Sequence, residues 1–147
     1  MPDVGFPVQI FDVNALVALA LTTHQHHRAA HQHLSACDHW ATTPMTESAL
    51  YRLLLNPSVA GRQLHVGHID RVVRAFRLDP RWQLIADDTS LSSARVNTTV
   101  LMGHQQVTDL HLVNLAATTG AQLATFDAAL PTWLAPSDRC HVVVIAP

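Results

Sequence analysis

The chain contains no lysine, a single glutamate and a single tyrosine, and only 14% of its 147 residues are charged. Its nine basic residues are therefore all arginine, and the formal net charge at pH 7 is −2. Such a balance provides no global attraction for a polyanion, so nucleic-acid binding would require a local basic patch. The low charge and the 48% of hydrophobic residues argue against a disordered chain.

Cysteines and long apolar runs are also scarce. Cys37 and Cys140 lie far apart without CxxC spacing, which favours two separate thiols in a reducing compartment over a disulfide. The longest apolar run near the N-terminus, residues 15–21, is too short to cross a bilayer. No basic leader precedes it. We therefore expect one cytoplasmic domain, residues 1–147, without a membrane segment.

Strand patterns alternate with helical patterns along the chain. Short segments rich in apolar and β-branched residues predict strands at VQIFDV, HWATT, WQLIADD, ATF and HVVVIA. Helices are predicted between them, at residues 15–21 after an Asn14 cap, and from Pro44 after a Thr43 cap. Further helices are expected at HQHHRAAHQHLSAC, GHIDRVVRAFRL, DTSLSSARV and VTDLHLVNLA. This alternation predicts an α/β sandwich with a mainly parallel sheet.

Acidic side chains occur where parallel α/β sheets bind ligands, beyond the carboxyl ends of the strands. Asp12 follows the first strand, and Asp127 follows the ATF strand. Glu47 lies in the first turn of the helix after HWATT, and Asp109 lies in the first turn of its own helix, behind Thr108. Because connections in such folds are short and right-handed, we expect these acids to converge on one cleft.

Carboxylates gathered in one cleft repel one another unless a cation lies among them. Oxygen ligands without a thiolate or imidazole suit Mg²⁺ or Mn²⁺ better than Zn²⁺. Such an ion acidifies and orients a water molecule and offsets charge that develops on a phosphate. Each acid alone has an ordinary explanation, such as a favourable helix start, but the combination predicts a metal-dependent phosphodiesterase.

Four segments in order, IFDVNALVAL, TESALYRLL, VTDLHLVNLA and LATFD, resemble the PIN domain, specifically toxins of the VapC type. The resemblance covers nearly the whole chain and implies a PIN-like three-layer α/β/α sandwich that cuts RNA with Mg²⁺ or Mn²⁺. It implies an acidic metal cluster made of four side chains, Asp12, Glu47, Asp109 and Asp127. It also implies that Asn14 and Thr125 are polar residues supporting this cluster.

The resemblance implies partners as well. Proteins of the VapC type are typically homodimers, and a small VapB-type antitoxin holds them inactive by covering the cleft. The chain is therefore expected to act on RNA as the toxin of a type II toxin–antitoxin pair. A different class of function stays open at this point, because a PIN-like module can also bind RNA or a protein without cleaving it.

Arginines offer candidate contacts to RNA. Arg71, Arg74 and Arg77 recur every three residues and share one helix face, which can bind phosphates or remain solvated surface. Arg52, five residues after Glu47, is a candidate to reach the cleft as a supporting residue, although a purely structural role explains it equally well.

A histidine-rich segment and the adjacent acids Asp87 and Asp88 suggest other kinds of site. Five histidines lie between residues 24 and 33, and the i, i+4 spacing of His27 and His31 suggests a zinc site, although a polar helix face explains them equally. His111 can orient a phosphate or pack against the strand ends. Asp87 and Asp88 resemble the paired acids of a receiver domain, but a helix cap before TSLSS is the favoured explanation.

Overall fold

The computed structural model describes residues 5–147. Its short apolar segments form five strands, Gln9–Phe11 (β1), Trp40–Thr42 (β2), Trp82–Leu84 (β3), Gln122–Thr125 (β4) and Val142–Val144 (β5). The strands join one sheet in the order β3-β2-β1-β4-β5, and every pairing is parallel. The predicted parallel α/β sheet is confirmed.

Helices connect the strands. They are Val13–Ala20 (α1), His27–Ala36 (α2), Pro44–Leu54 (α3), Pro57–Ala60 (α4), Val66–Leu78 (α5), Val107–Thr119 (α6) and Leu130–Trp133 (α7). Short 3₁₀ turns occur at Leu91–Ser93, Thr98–Val100, His104–Gln106 and Pro136–His141. Within residues 5–147, none of these helices combines the length and the apolar character needed to span a bilayer.

The sheet separates two hydrophobic cores. Successive side chains on a strand point to opposite faces, so Phe11 packs with α1, α3 and α5 while its neighbour Ile10 packs with α6. The central strand β4 divides in the same way, with Ala124 on the first face and Leu123 on the second. The three-layer α/β/α arrangement that the sequence implied is therefore present.

The start of α1 differs from the prediction. Asp12, not Asn14, caps this helix, since its Oδ1 accepts the Ala15 N–H at 2.8 Å. Strand β1 ends at Phe11, so Asp12 is the first residue free to take the extended conformation of a cap. The helix begins at Val13, and Asn14 lies in its first turn with an exposed side chain.

The start of α3 matches the prediction. Thr43 caps the helix, and Pro44 occupies the first helical position. The Thr43 and Thr46 hydroxyls accept each other's backbone N–H at 3.0 and 2.9 Å, which satisfies two of the donors that a helix start leaves unpaired. The first turn of α3 is therefore rigidly placed at the end of β2.

The predicted helix at DTSLSSARV is wrong. Only a 3₁₀ turn forms there, Leu91–Ser93, and its cap is Ser90 instead of Asp88. Serine side chains compete with helix formation by bonding to nearby backbone, and Ser90 Oγ accepts the Ser92 N–H at 3.2 Å. The chain after this turn is bound to α6, where the buried Asn114 accepts the Arg95 N–H at 2.8 Å.

Two exposed glycines provide a matched test of the backbone. Gly120 ends α6 with a φ of 71°, and Gly67 lies inside α5; a Cβ at either position would meet nothing within 4 Å. Gly120→Ala is expected to lower the free energy of unfolding by about 1 kcal/mol, because the left-handed region penalises a Cβ.

Gly67→Ala is the control. Gly67 is the second residue of α5 and has no positive φ, so alanine, the better helix former, should raise the free energy of unfolding by up to about 0.5 kcal/mol. Urea unfolding of both variants measures the two values. Equal effects of the same sign would contradict the assigned helix end.

Candidate active site

The four acids predicted from the sequence lie at one edge of the sheet. Asp12 directly follows β1, and Asp127 lies just beyond β4, which pairs with β1. Asp109 is in the first turn of α6, the helix that leads into β4, and Glu47 is in the first turn of α3, after β2. Parallel strands end at a common edge, so these positions face the cleft that the topology predicts.

Asp12 is the most enclosed of these acids, with only 6% of its surface exposed. One carboxylate oxygen accepts the Ala15 N–H, and the other accepts the hydroxyl of the fully buried Thr125. Thr125 Oγ1 in turn accepts the Asp127 N–H at 3.0 Å. Thr125 therefore connects Asp12 to the backbone of Asp127.

The aspartates repel one another. The pKa of Asp12 is raised to about 6, mainly by burial and to a smaller extent by the charges of Asp109 and Asp127, while its bonds to Thr125 and Ala15 act in the opposite direction. The pKa of Asp109 is also raised, first by burial and then by the charge of Asp127. Asp12, Asp109 and Asp127 thus form one electrostatic group, which we call the aspartate group.

No basic side chain compensates the aspartate group within residues 5–147. The ion pairs found there are Arg77–Glu47, Arg81–Asp79 and His111–Asp87. An all-oxygen set with uncompensated negative charge fits a hard divalent cation. Within residues 5–147 no three His, Cys, Asp or Glu side chains come close enough to hold one metal ion together. An ion here would therefore take at most two of these carboxylates and keep water in its other positions, which is how Mg²⁺ is usually bound.

Glu47 lies at the same edge but is held differently. Its Oε1 accepts the Thr42 hydroxyl at 3.0 Å, and Arg77 Nη2 contacts its two oxygens at 3.2 and 3.1 Å. The Arg77 guanidinium also lies 5.1 Å from the centre of the Trp82 ring. Glu47 is not among the charges that raise the pKa of Asp12. The structure therefore groups the three aspartates electrostatically, whereas Glu47, at the same edge of the sheet, is paired with arginine.

The proposed supporting residues take separate positions. Asn14 is exposed and lines a cavity together with Asp127. Arg52 is exposed in the last turn of α3, whereas Arg77 from α5 is the arginine that pairs with Glu47. The sequence indicated Arg77 as one of three arginines on the same helix face. It did not indicate the pairing with Glu47, because the two residues are thirty positions apart in the chain.

Two histidines of the histidine-rich segment bind α2 to α1 and do not form the zinc site that their spacing suggested. His27 Nδ1 lies 2.8 Å from the Ala18 carbonyl oxygen, and His31 Nε2 lies 3.0 Å from that of Leu19. These carbonyls belong to the last turn of α1, whose acceptors need partners. Across residues 5–147 there is no group of three metal-ligating side chains, so the zinc hypothesis is wrong for this range.

His111 has a structural partner. Its Nε2 lies 2.8 Å from both carboxylate oxygens of Asp87, and the two side chains are 16% and 15% exposed. This contact connects the segment after β3 to α6. Asp87 is therefore neither a helix cap nor half of a receiver-type acidic pair, and of the two roles weighed for His111 the structure supports packing.

Comparison with known proteins identifies relatives. No protein-family model matches the chain. Ribonuclease VapC38 of Mycobacterium tuberculosis is 39% identical over 84% of this chain and 87% of its own length. Ribonuclease VapC29 of the same organism is 37% identical, covering 82% and 86%, and ribonuclease VapC39 is 35% identical, covering 82% and 89%.

A solved structure shows the same architecture. The crystal structure of Mycobacterium tuberculosis VapC20, described as a Sarcin-Ricin loop cleaving toxin, matches with a TM-score of 0.52 over 80% of this chain and 87% of that one. At 13% identity the match bears on the fold alone. It confirms the PIN-like sandwich expected from the sequence.

The raised pKa of Asp12 predicts an unusual pH dependence. Between the pKa of an unfolded aspartate, about 4, and the folded value of about 6, the folded state binds more protons. Stability from this group therefore falls as pH rises through that window. Asp12→Asn is expected to raise the free energy of unfolding at pH 7 by about 1–3 kcal/mol and to flatten this dependence.

Asp79→Asn is the matched control. Its bond to the Arg81 side chain is the main reason that the pKa of Asp79 is lowered to about 2, so this carboxylate stabilises the fold at neutral pH and loses that effect only as pH falls below about 4. The control should be less stable than wild type at pH 7. Thermal melts from pH 4 to 8 measure both, and destabilisation by Asp12→Asn at pH 7 would contradict the prediction.

Proposed function

The chain belongs to the VapC family of ribonucleases, and on that basis we propose that it is an endoribonuclease acting as the toxin of a type II toxin–antitoxin pair. The proposed reaction is hydrolysis of RNA phosphodiester bonds. The observation that carries this proposal is the aspartate group at the carboxyl edge of the sheet, which has no basic partner within residues 5–147.

We assign a Mg²⁺ or Mn²⁺ ion to the aspartate group, with Glu47 as the fourth acid of the site. When bound, such an ion supplies positive charge and Lewis acidity for the attack of water on a phosphate. Asp12 would provide the most rigid donor, because the Ala15 N–H and the Thr125 hydroxyl hold its carboxylate. Asp127 is exposed and is therefore accessible to both the ion and the substrate.

Arginines of α5 would supply the local positive charge that the overall composition lacks. Arg71 and Arg74 are exposed, and Arg74 lines the cavity that also contains Glu47 and Arg77. Contacts from these side chains to RNA phosphates would be independent of sequence and sensitive to salt. These contacts would place the RNA strand along the edge of the sheet that carries the acids.

We extend the proposal to the partners that the family implies. The protein would be a cytoplasmic homodimer that a VapB-type antitoxin holds inactive. Light scattering on the purified chain tests the dimer, whose mass would be twice the 16.1 kDa of one copy. Co-purification with the product of an adjacent short reading frame tests the antitoxin.

The central test is RNA cleavage with and without a divalent ion. Wild-type protein should cut RNA with Mg²⁺ or Mn²⁺ and not after chelation, and Asp12→Asn and Asp109→Asn should each lower the rate by at least about a hundredfold. Asp38→Asn, an exposed aspartate before β2, is the matched control and should cut normally. Cleavage without metal, or full activity of both site variants, would overturn the mechanism.

A binding measurement separates the enzyme from a non-catalytic module. Mg²⁺ should raise the Tm of wild-type protein, since a ligand of the folded state stabilises it, and should not raise that of Asp109→Asn. RNA binding without cleavage under any metal condition would favour the binding module.

The pairing of Glu47 with Arg77 generates a separate prediction. Arg77 is 46% exposed in this pair and Glu47 is 14% exposed, and an ion pair with one partner largely in solvent contributes little to stability. Arg77→Gln should therefore retain the fold and most of the cleavage rate, whereas Glu47→Gln should lower that rate at least tenfold if Glu47 belongs to the site. Equal rates for Glu47→Gln and wild type would remove Glu47 from the catalytic set.

A further inference from the structure

A cavity of about 270 Å³ opens beside the aspartate group, at the end of β4. Its lining residues come from α1, from the segment between α1 and α2, and from the end of β4; they are Asn14, His24, Gln25, His26, Phe126 and Asp127. The volume lies just below the roughly 300 Å³ at which pockets for drug-sized ligands begin. It suits a single planar ring system better than a longer stretch of polymer.

Two stacked rings form one wall of this cavity. The rings of His26 and Phe126 have centroids 4.6 Å apart and planes inclined by 14°. Phe126 packs against the core of the first face, which fixes the position of the stack. The His26 side chain makes no capping bond at the start of α2, so removing its ring does not remove a helix cap.

The neighbouring histidine presents a defined hydrogen-bond donor. The backbone N–H of His26 donates to His24 Nδ1 at 3.0 Å, so Nδ1 is the acceptor and Nε2 carries the proton in the neutral ring. Burial, together with the charges of His26 and His27, lowers the pKa of His24 and favours that neutral form. Amide groups of Asn14 and Gln25 add donors and acceptors to the same lining.

The charge of the lining excludes phosphate as the preferred occupant. Within residues 5–147 no arginine lines this cavity, and its one carboxylate, Asp127, repels anions. An aromatic wall with neutral donors and acceptors is instead the environment in which proteins bind unpaired bases, through stacking and edge contacts.

We propose that this cavity binds one nucleobase of the RNA, adjacent to the cleaved phosphodiester, and that the His26 ring holds this base where polar side chains of the lining read its edge. The proposal rests on the ribonuclease function proposed above. Asp127 belongs both to the aspartate group and to the cavity wall, so a base held here would belong to a nucleotide next to the reacting phosphate. Stacking would supply affinity, and the Asn14 and Gln25 amides would read the edge of the base.

Cleavage of an RNA pool of random sequence, with sequencing of the new ends, tests the specificity. Wild-type protein should prefer particular nucleotides beside the cut. His26→Ala should reduce the ratio of preferred to disfavoured cleavage about tenfold, because a base that no longer stacks is not held against the amides that read its edge. His26→Phe keeps an aromatic ring and should retain much of that ratio. His65→Ala, an exposed histidine without a capping bond, should match wild type. An unchanged ratio in His26→Ala would overturn the proposal.

A binding measurement keeps this test separate from catalysis. Adenosine, guanosine, cytidine and uridine are titrated separately into Asp109→Asn protein while the histidine ring signals are followed by NMR. At least one nucleoside should shift the His24 and His26 signals without shifting that of His65, and ribose 5-phosphate should not.

Shifts from ribose 5-phosphate alone would overturn the base site in favour of an anion site, and no shift from any nucleoside would also overturn it. Failure of wild-type protein to cut RNA would refute the proposed function, while the nucleoside titration would still decide whether the cavity binds bases.

Discussion

The buried carboxylate of Asp12 is the constraint on which the rest of the site depends. It caps α1 through the Ala15 N–H and accepts the Thr125 hydroxyl from β4, so one side chain joins two adjacent strand ends and a helix. Burial makes its charge costly and raises its pKa to about 6. The chain retains this cost because removing the carboxylate would remove the deepest oxygen donor of the cleft.

The cations of the ion pairs neutralise other acids. Arg77 pairs with Glu47 at the carboxyl edge of the sheet, and Arg81 binds both carboxylate oxygens of Asp79 at the opposite edge, where β2 and β3 begin. The three aspartates that repel one another have no such partner within residues 5–147. A protein optimised only for stability would pair or disperse these charges, so their concentration in one place supports the metal site proposed for them.

The histidine-rich segment divides into two roles. His27 and His31 bind carbonyl oxygens at the end of α1 and hold α2 against it. His24 and His26, a few residues earlier, remain at the cavity beside the aspartate group. Attachment of α2 to α1 therefore also positions the preceding segment, whose side chains line the cavity together with Asp127.

The sequence alone determined the parallel α/β architecture and the placement of acids at strand ends and helix starts. The spacing of apolar residues and the capping of helices both depend on residues that are neighbours in the chain. Even the Thr43 cap was predictable. The tertiary structure decided that Asp12 caps α1 in place of Asn14, since the end of β1 depends on pairing with β2 and β4. It also decided which acids remain uncompensated, because the partner of Glu47 comes from α5, and packing between distant segments has no local signature.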